Sequence, residues 1–355
     1  MSFDREVLPY GIFSTPDGGR RVGVAVDDGV LDLAAALGGE WAVDSLNPFL
    51  ARGRAYWTAT RARVRELVGG PLVHDVTMHL PFAVADYVDF YASEQHATNL
   101  GRMFRPDGEA LLPNWKHLPV GYHGRAGTVV VSGTEVRRPS GLRPTFGPSQ
   151  KLDVEVEIGF VVGVGSDLGT PVSTTDFEKH VFGIVVLNDW SARDIQAYEY
   201  VPLGPFLGKS FATSISAWVV PLEALDRVPA PVQDPPVADY LQVQGDWGLD
   251  LMLSLELNGE VVSRPPFAGM YWTAPQLLAH LTAGGASLRT GDLFASGTVS
   301  GDAADQRGSL IELTWNGRDP LQGRTFLEDG DDVTISATTA GGQFLGAVTG
   351  RITPT

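Results

Sequence analysis

The stretch Leu152-Asp153-Val154-Glu155-Val156-Glu157-Ile158-Gly159 alternates apolar and acidic residues. On a β-strand successive side chains point to opposite faces, so Asp153, Glu155 and Glu157 share one face while Leu152, Val154, Val156 and Ile158 share the other. Carboxylates on alternate residues repel one another unless water or a cation screens them. Two readings follow: the solvent-facing acidic side of a half-buried strand, or a site for a hard metal ion. Further polar residues cluster by type. Asp89-Phe90-Tyr91 precedes His96, and Asp189 ends an apolar run followed by Arg193, Gln196 and Lys209. With no cysteine in the chain, oxygen ligands suit Ca²⁺, Mg²⁺ or Mn²⁺ rather than zinc. Four gathered carboxylates outweigh one divalent ion, so Arg193, Lys209 or a second ion must supply the balance.

Each residue also has a plainer role open to it. His96 can be a satisfied structural histidine. Glu312, in Leu310-Ile311-Glu312-Leu313, reads most simply as an outward-facing strand residue. Arg193 can form a surface ion pair worth about 0–1 kcal/mol. Tyr91, Tyr122 and Tyr200 can be core aromatics with a wetted hydroxyl. Two nucleotide-like patterns fail on spacing. Gly204-Pro205-Phe206-Leu207-Gly208-Lys209-Ser210 has one residue too few between its glycines for a phosphate loop, and Gly163, Gly165 and Gly169 miss the dinucleotide pattern. No Gly-x-Ser-x-Gly elbow of a serine hydrolase occurs.

The elements that must position these groups read as mostly β, in an α+β arrangement. At about 150 residues per domain, 355 residues suggest two domains or one large one. Arg21–Val26 and the run from Val30 form a hairpin around Asp27-Asp28-Gly29, and Trp57–Val68 reads as a helix closed by Gly69-Gly70. The chain then turns extended, which places a boundary near residue 80, between an N-terminal β domain (1–80) and a larger β-rich domain (81–355). Thr175–Glu178 reads as a capping box opening a short helix that ends at Gly183, with a buried strand over Ile184–Leu187. Leu249–Val262 reads as a hairpin through Asn258-Gly259, Thr273–Gln276 as a helix cap, and Asp331–Ile352 as a closing hairpin around Gly341-Gly342. The net charge of −16 argues against nucleic acid as a partner. No apolar run approaches the roughly 20 residues of a membrane span, and the charged N-terminus does not resemble a signal peptide, so a cytoplasmic protein is expected.

Five long motifs carry a resemblance to the fumarylacetoacetate hydrolase family: DFYASEQHATNLGRMFR from Asp89, LLPNWKHLPVGYHGR from Leu111, LDVEVE from Leu152, NDWSARDIQAYEYVPLGPFLGKSF from Asn188 and ASGTVSG from Ala295. They cover most of the chain from Asp86 on, in family order. The resemblance implies a small SH3-like N-terminal barrel followed by a β-rich catalytic domain, assembled as a homodimer. Carried across position by position, it implies a calcium-type site at Asp89, Glu155, Glu157 and Asp189, and a magnesium-type site around Asp189, Lys209 and Thr213. It makes His96 the general base, Glu312 the carboxylate that orients it, and Arg193, Gln196 and Lys209 the oxyanion cluster. Tyr91, Arg105, Tyr122, Gln196, Tyr200 and Thr298 become substrate contacts. Tyr198 and Ala212 stand where Trp and Gly are expected in animal members, which bears only on pocket shape.

The implied activity is hydrolysis of a carbon-carbon bond in a diketo acid, 4-fumarylacetoacetate, to fumarate and acetoacetate, at the end of tyrosine and phenylalanine breakdown. The residue types suit it, because a departing carbanion needs its charge delocalised onto oxygen beside a cation. An acylpyruvate-type diketone hydrolase, or a decarboxylase or hydratase of the same superfamily, is the nearest alternative. A non-catalytic metal-binding protein is a further one, against which the pairing of His96 with Glu312 speaks.

Overall fold

Val181-Phe182-Gly183-Ile184-Val185-Val186-Leu187 is apolar without alternation, the pattern of a strand covered on both faces. In the computed structural model, which describes residues 2–355, every residue of Val181–Asp189 is buried, as is every residue of its antiparallel neighbour Val156–Val162. These two strands are the middle of a twelve-stranded sheet among the described residues. We label its main path β1 (Tyr10–Ser14), β2 (Arg21–Val26), β3 (Gly29–Asp32), β4 (Tyr87–Phe90), β5 (Gly121–His123), β6 (Val156–Val162), β7 (Val181–Asp189), β8 (Trp218–Pro221) and β9 (Leu293–Ala295). The order across it is β3-β2-β1-β8-β7-β6-β9-β4-β5. A five-stranded sheet holding the hairpins Leu251–Leu257/Glu260–Ser263 and Asp332–Thr339/Phe344–Thr353 packs against it. The second sheet covers one face of this pair, where Val186 and Ile158 share a core with Leu253 and Ile335, and N-terminal side chains including Phe49 and Trp57 cover the other, around Phe182 and Val185.

The N-terminal hairpin β2-β3 forms as the sequence predicts, and the following helix runs over Arg54–Leu67 (α1). β1 pairs with β2 on one side and with β8 on the other, so the N-terminal strands continue the large sheet. Their side chains also share one core with it: Tyr10, Ile12, Val24 and Trp57 lie in the same apolar cluster as Phe182, Val185, Leu187 and Leu293. Tyr10 stacks on Phe49 at 5.1 Å and meets Phe182 edge-on at 5.7 Å.

Three local expectations are corrected. The helix after Thr175 spans only Phe177–His180, without a side-chain cap, and Gly183 lies inside β7. A Cβ at Gly183 would sit 2.2 Å from the Val220 carbonyl oxygen, so the glycine serves close strand approach rather than a helix stop. The acidic strand is split: Leu152–Asp153 pairs with Ser191–Ala192, and β6 starts afresh at Val156. Glu312 is on a helical turn, Leu310–Leu313, and wholly buried, not outward on a strand.

We label four further helices α2 (Glu94–Phe104), α3 (Arg193–Glu199), α4 (Ala274–Thr282) and α5 (Leu310–Leu313). α4 carries the expected Thr273/Gln276 capping box. α2 presses its backbone at Gly101 onto the following loop, where a Cβ would lie 1.7 Å from the Ala110 carbonyl oxygen. Gly101→Ala must therefore displace α2, at a cost of about 1–3 kcal/mol. A lowered melting temperature together with reduced turnover is expected, and an unchanged melting curve would contradict this packing.

Candidate active site

The register of four strands gathers the acids. Asp89 on β4 lies beside Ala295 on β9, Ala295 beside Gly159 on β6, and Val156 on β6 beside Asn188 on β7. As a result Asp89, Glu155, Glu157 and Asp189 each offer one carboxylate oxygen within 4.8 Å of all the others. All four residues are buried, which overturns the solvent-facing reading of the acidic strand.

Two cations reach this cluster. The Lys209 ammonium donates to Asp189 Oδ2 at 2.6 Å and to Glu155, and Arg193 Nη1 lies 2.7 Å from Glu155 Oε1. Tyr122 donates to Asp89 Oδ2 at 2.6 Å, Thr213 to Asp189 Oδ1 at 3.1 Å, and the Gly297 amide to Glu157 Oε2 at 3.2 Å. Asp89 Oδ1 and Glu157 Oε1 are buried with no partner among the described residues. Orphaned buried carboxylate oxygens are costly. Both belong to residues of the all-oxygen four-carboxylate set, and that donor chemistry fits a hard divalent cation.

The electrostatics agree. Burial and then Asp189 push Asp89 well above the usual carboxylate range, and burial with Asp89 and Asp189 does the same to Glu157. Asp189 is also raised, chiefly by burial, although Lys209 opposes it. Burial raises Glu155 too, but Arg193 and Lys209 outweigh it and hold that carboxyl below its usual range. Burial would lower the Lys209 ammonium, yet Asp189 and Glu155 hold it above the ordinary lysine range. Lys209 is thus a charged donor. A narrow cavity of about 10 Å³ adjoins it, lined in part by Tyr122, Asp189 and Thr213.

His96 belongs to the first turn of α2, whose Ser93 cap accepts the His96 amide at 3.2 Å. Its Nδ1 lies 2.6 Å from Glu312 Oε2. Glu312 also accepts from Asn99 at 2.9 Å, Ser309 at 2.7 Å and Ser300 at 3.0 Å. Burial raises the Glu312 carboxyl, but His96 and these donors outweigh it and keep it below its usual range. An ionised Glu312 can only accept, so Nδ1 carries a proton, and in the neutral ring this tautomer leaves the lone pair on Nε2. The ring of Tyr91 meets that of His96 edge-on at 5.3 Å.

Other expected residues are placed differently. Gln196 Oε1 lies 3.4 Å from Arg193 Nη1, leaving its amide nitrogen free, and Thr298 is buried. Tyr122 touches the carboxylate cluster itself. Arg105 and Tyr200, each capping the C-terminus of a helix, are exposed and are not brought onto the cluster. The Arg105 guanidinium is tied to the Ala110 carbonyl at 2.7 Å. A cleft of about 640 Å³ lies apart from the carboxylates, lined by Arg143, Lys151, Asp194, Tyr198, Asn316 and Phe326 among others. Asn99, Ser300 and Ser309, which saturate Glu312, have no counterpart among the site residues expected from sequence. Small polar residues beside glycine in ASGTVSG were the only signal for Ser300.

Fold and site together define a β-rich enzyme class with a buried four-carboxylate cluster that could hold a metal ion and a histidine paired with a buried glutamate. A family profile described as fumarylacetoacetate (FAA) hydrolase C-terminal matches residues 86–353, and one described as fumarylacetoacetase N-terminal matches residues 6–84. The chain belongs to the fumarylacetoacetate hydrolase family. It is 44% identical to the fumarylacetoacetase of Rattus norvegicus, covering 99% of this chain and 96% of that protein. A solved fumarylacetoacetate hydrolase from Exiguobacterium antarcticum has the same fold, at TM-score 0.64 and 18% identity over 98% of this chain and 100% of that one. So does a maleylpyruvate hydrolase from Sphingobium sp. SYK-6, solved with manganese(II) and pyruvate, at TM-score 0.60 and 15% identity over 98% of this chain and 99% of that one.

Removing Glu157 takes away one of the two orphaned oxygens. Glu157→Ala is expected to weaken Ca²⁺ or Mn²⁺ binding by more than about 100-fold, since loss of an outer partner alone costs 10–100-fold. Titration calorimetry on the purified protein would show this, and undiminished affinity would remove Glu157 from the ligand set.

Proposed function

We propose that this protein hydrolyses 4-fumarylacetoacetate to fumarate and acetoacetate, using a divalent ion held by Asp89, Glu155, Glu157 and Asp189. The observation that carries the reading is the oriented His96–Glu312 pair beside a buried carboxylate cluster, in a chain 44% identical across its length to a fumarylacetoacetase.

When bound, a divalent ion at the cluster supplies Lewis-acid stabilisation of negative charge on a diketone oxygen. The chain's own groups do the rest. His96 Nε2, with Nδ1 fixed on Glu312, takes a proton from water as that water attacks the ketone carbon next to the fumaryl chain. Arg193, whose Nη2 is buried and unpartnered, donates to the resulting oxyanion with the Gln196 amide and Lys209. The carbon-carbon bond then breaks, its electron pair leaves as the enolate of acetoacetate, and a proton returned to carbon completes the products. Arg105, Tyr91, Tyr122, Tyr200 and Thr298 are assigned to holding the diketo acid, Arg105 through its carboxylate.

The same reading extends to Ca²⁺ at the four-carboxylate position, Mn²⁺ being accepted there, and to Mg²⁺ near Asp189, Lys209 and Thr213. It also includes a homodimer in the cytoplasm, an N-terminal domain ending near residue 80, and a place at the end of tyrosine and phenylalanine catabolism. No helix of the described residues is long and apolar enough to cross a membrane.

Purified protein supplied with fumarylacetoacetate and Ca²⁺ or Mg²⁺ is expected to consume the diketone absorbance, and a chelator to stop it. Absence of turnover with metal present would reject the activity. His96→Ala is expected to lower kcat by about 10²–10⁴-fold while metal affinity stays unchanged. An active variant would reject His96 as the base.

A further inference from the structure

We propose that Asp153 is a positioning residue that joins the oxyanion-binding arginine and the turn bearing Glu312 into one rigid unit. The inference rests on the functional reading above and adds a residue that this reading leaves without a role.

Asp153 is fully buried, and it is not part of the carboxylate cluster. All of its acceptor capacity is used by hydrogen-bond donors. Oδ1 accepts from the Val154 amide at 2.8 Å and the Leu310 amide at 2.8 Å. Oδ2 accepts from Arg193 Nε at 2.8 Å and the Ile311 amide at 3.1 Å. Leu310 and Ile311 open α5, whose first-turn amides have no partner within the helix. Glu312 is the next residue, so Asp153 fixes the start of the turn that aims Glu312 at His96.

Its other oxygen fixes one edge of Arg193. The guanidinium fork is then set by two carboxylates, Asp153 at Nε and Glu155 at Nη1, and Nη2 is left unpartnered. A planar guanidinium held at two points cannot rotate, which aims the free nitrogen. One side chain therefore ties together two groups that must act on the same substrate carbonyl: the donor to its oxyanion, and the carboxylate behind the base that delivers water.

An amide at this position cannot substitute, because its NH₂ must face either Leu310 and Val154 or Arg193 and Ile311, all of them donors. Asp153→Asn is expected to lower kcat about 100-fold with little change in KM or metal affinity, as for a small misplacement of reacting groups. In an Arg193→Met background, where the arginine can no longer be aimed, adding Asp153→Asn is expected to cost much less than it does alone. Equal factors in both backgrounds would reduce Asp153 to a general structural residue and overturn the proposal.

A second readout does not use turnover. In protein with isotope-labelled histidine, the His96 Nδ1–H held by Glu312 should give a far-downfield proton resonance. Asp153→Asn should shift or broaden it, while Arg193→Met, which leaves the contacts to Leu310 and Ile311, should not. An unmoved resonance in folded Asp153→Asn overturns the coupling to Glu312. Should Asp153→Asn fail to fold, Leu310→Pro deletes a single amide donor at a helix position that tolerates proline. It must then move the same resonance, and an unmoved one again overturns the proposal. Failure of wild-type turnover would instead count against the proposed reaction, leaving the resonance test to decide the role of Asp153.

Discussion

Four carboxylates buried within 4.8 Å of one another are the constraint on which the rest of this molecule turns. Gathering like charge away from water is unfavourable by several kcal/mol per ion unless cations and donors are supplied. The chain supplies Lys209 and Arg193, but Arg193 is shared with Asp153, so the protein's own positive charge is insufficient. Two of the cluster's oxygens remain without a partner among the described residues, and the deficit is the size and kind that one hard divalent ion relieves.

The same shortage of charge explains the separation of roles around the site. Glu155 is satisfied by two cations and stays ionised, whereas Asp89 and Glu157 carry the orphaned oxygens. Glu312, equally buried, is kept ionised by a different route: a histidine ring, an amide and two serine hydroxyls, with no lysine or arginine paired to its carboxylate among the described residues. One carboxylate set is left wanting a metal, and the other is complete and can only orient a base. Burial alone does not distinguish them; the donors around each do.

Such electrostatics require a scaffold that does not give way. β6 and β7 are buried on both faces, with the second sheet behind them and the N-terminal strands continuing the main sheet through β1 and β8. The N-terminal segment contributes no group to the site. Its aromatic contacts, Tyr10 and Trp57 against Phe182, brace the strand that ends in Asp189.

Much of this was legible in local pattern. Hairpins at Asp27–Gly29 and Asn258-Gly259, the Thr273 cap and the unbroken apolar run before Asp189 depend on neighbours a few residues away, and the chain folds there as those neighbours dictate. The residue types of the site were legible for the same reason, with long motifs around Asp89, His96 and Arg193 to carry them. What the alternating strand could not reveal was whether its acids faced water, because that is decided by a sheet built from residues far away in sequence. Nor could it show that the strand breaks after Asp153, or that Glu312 lies on a helical turn. Asp153 meets Leu310 and Ile311 across more than 150 positions of chain. Alternation places three carboxylates at regular intervals; only tertiary register decides which oxygens find donors at home and which are left for a metal.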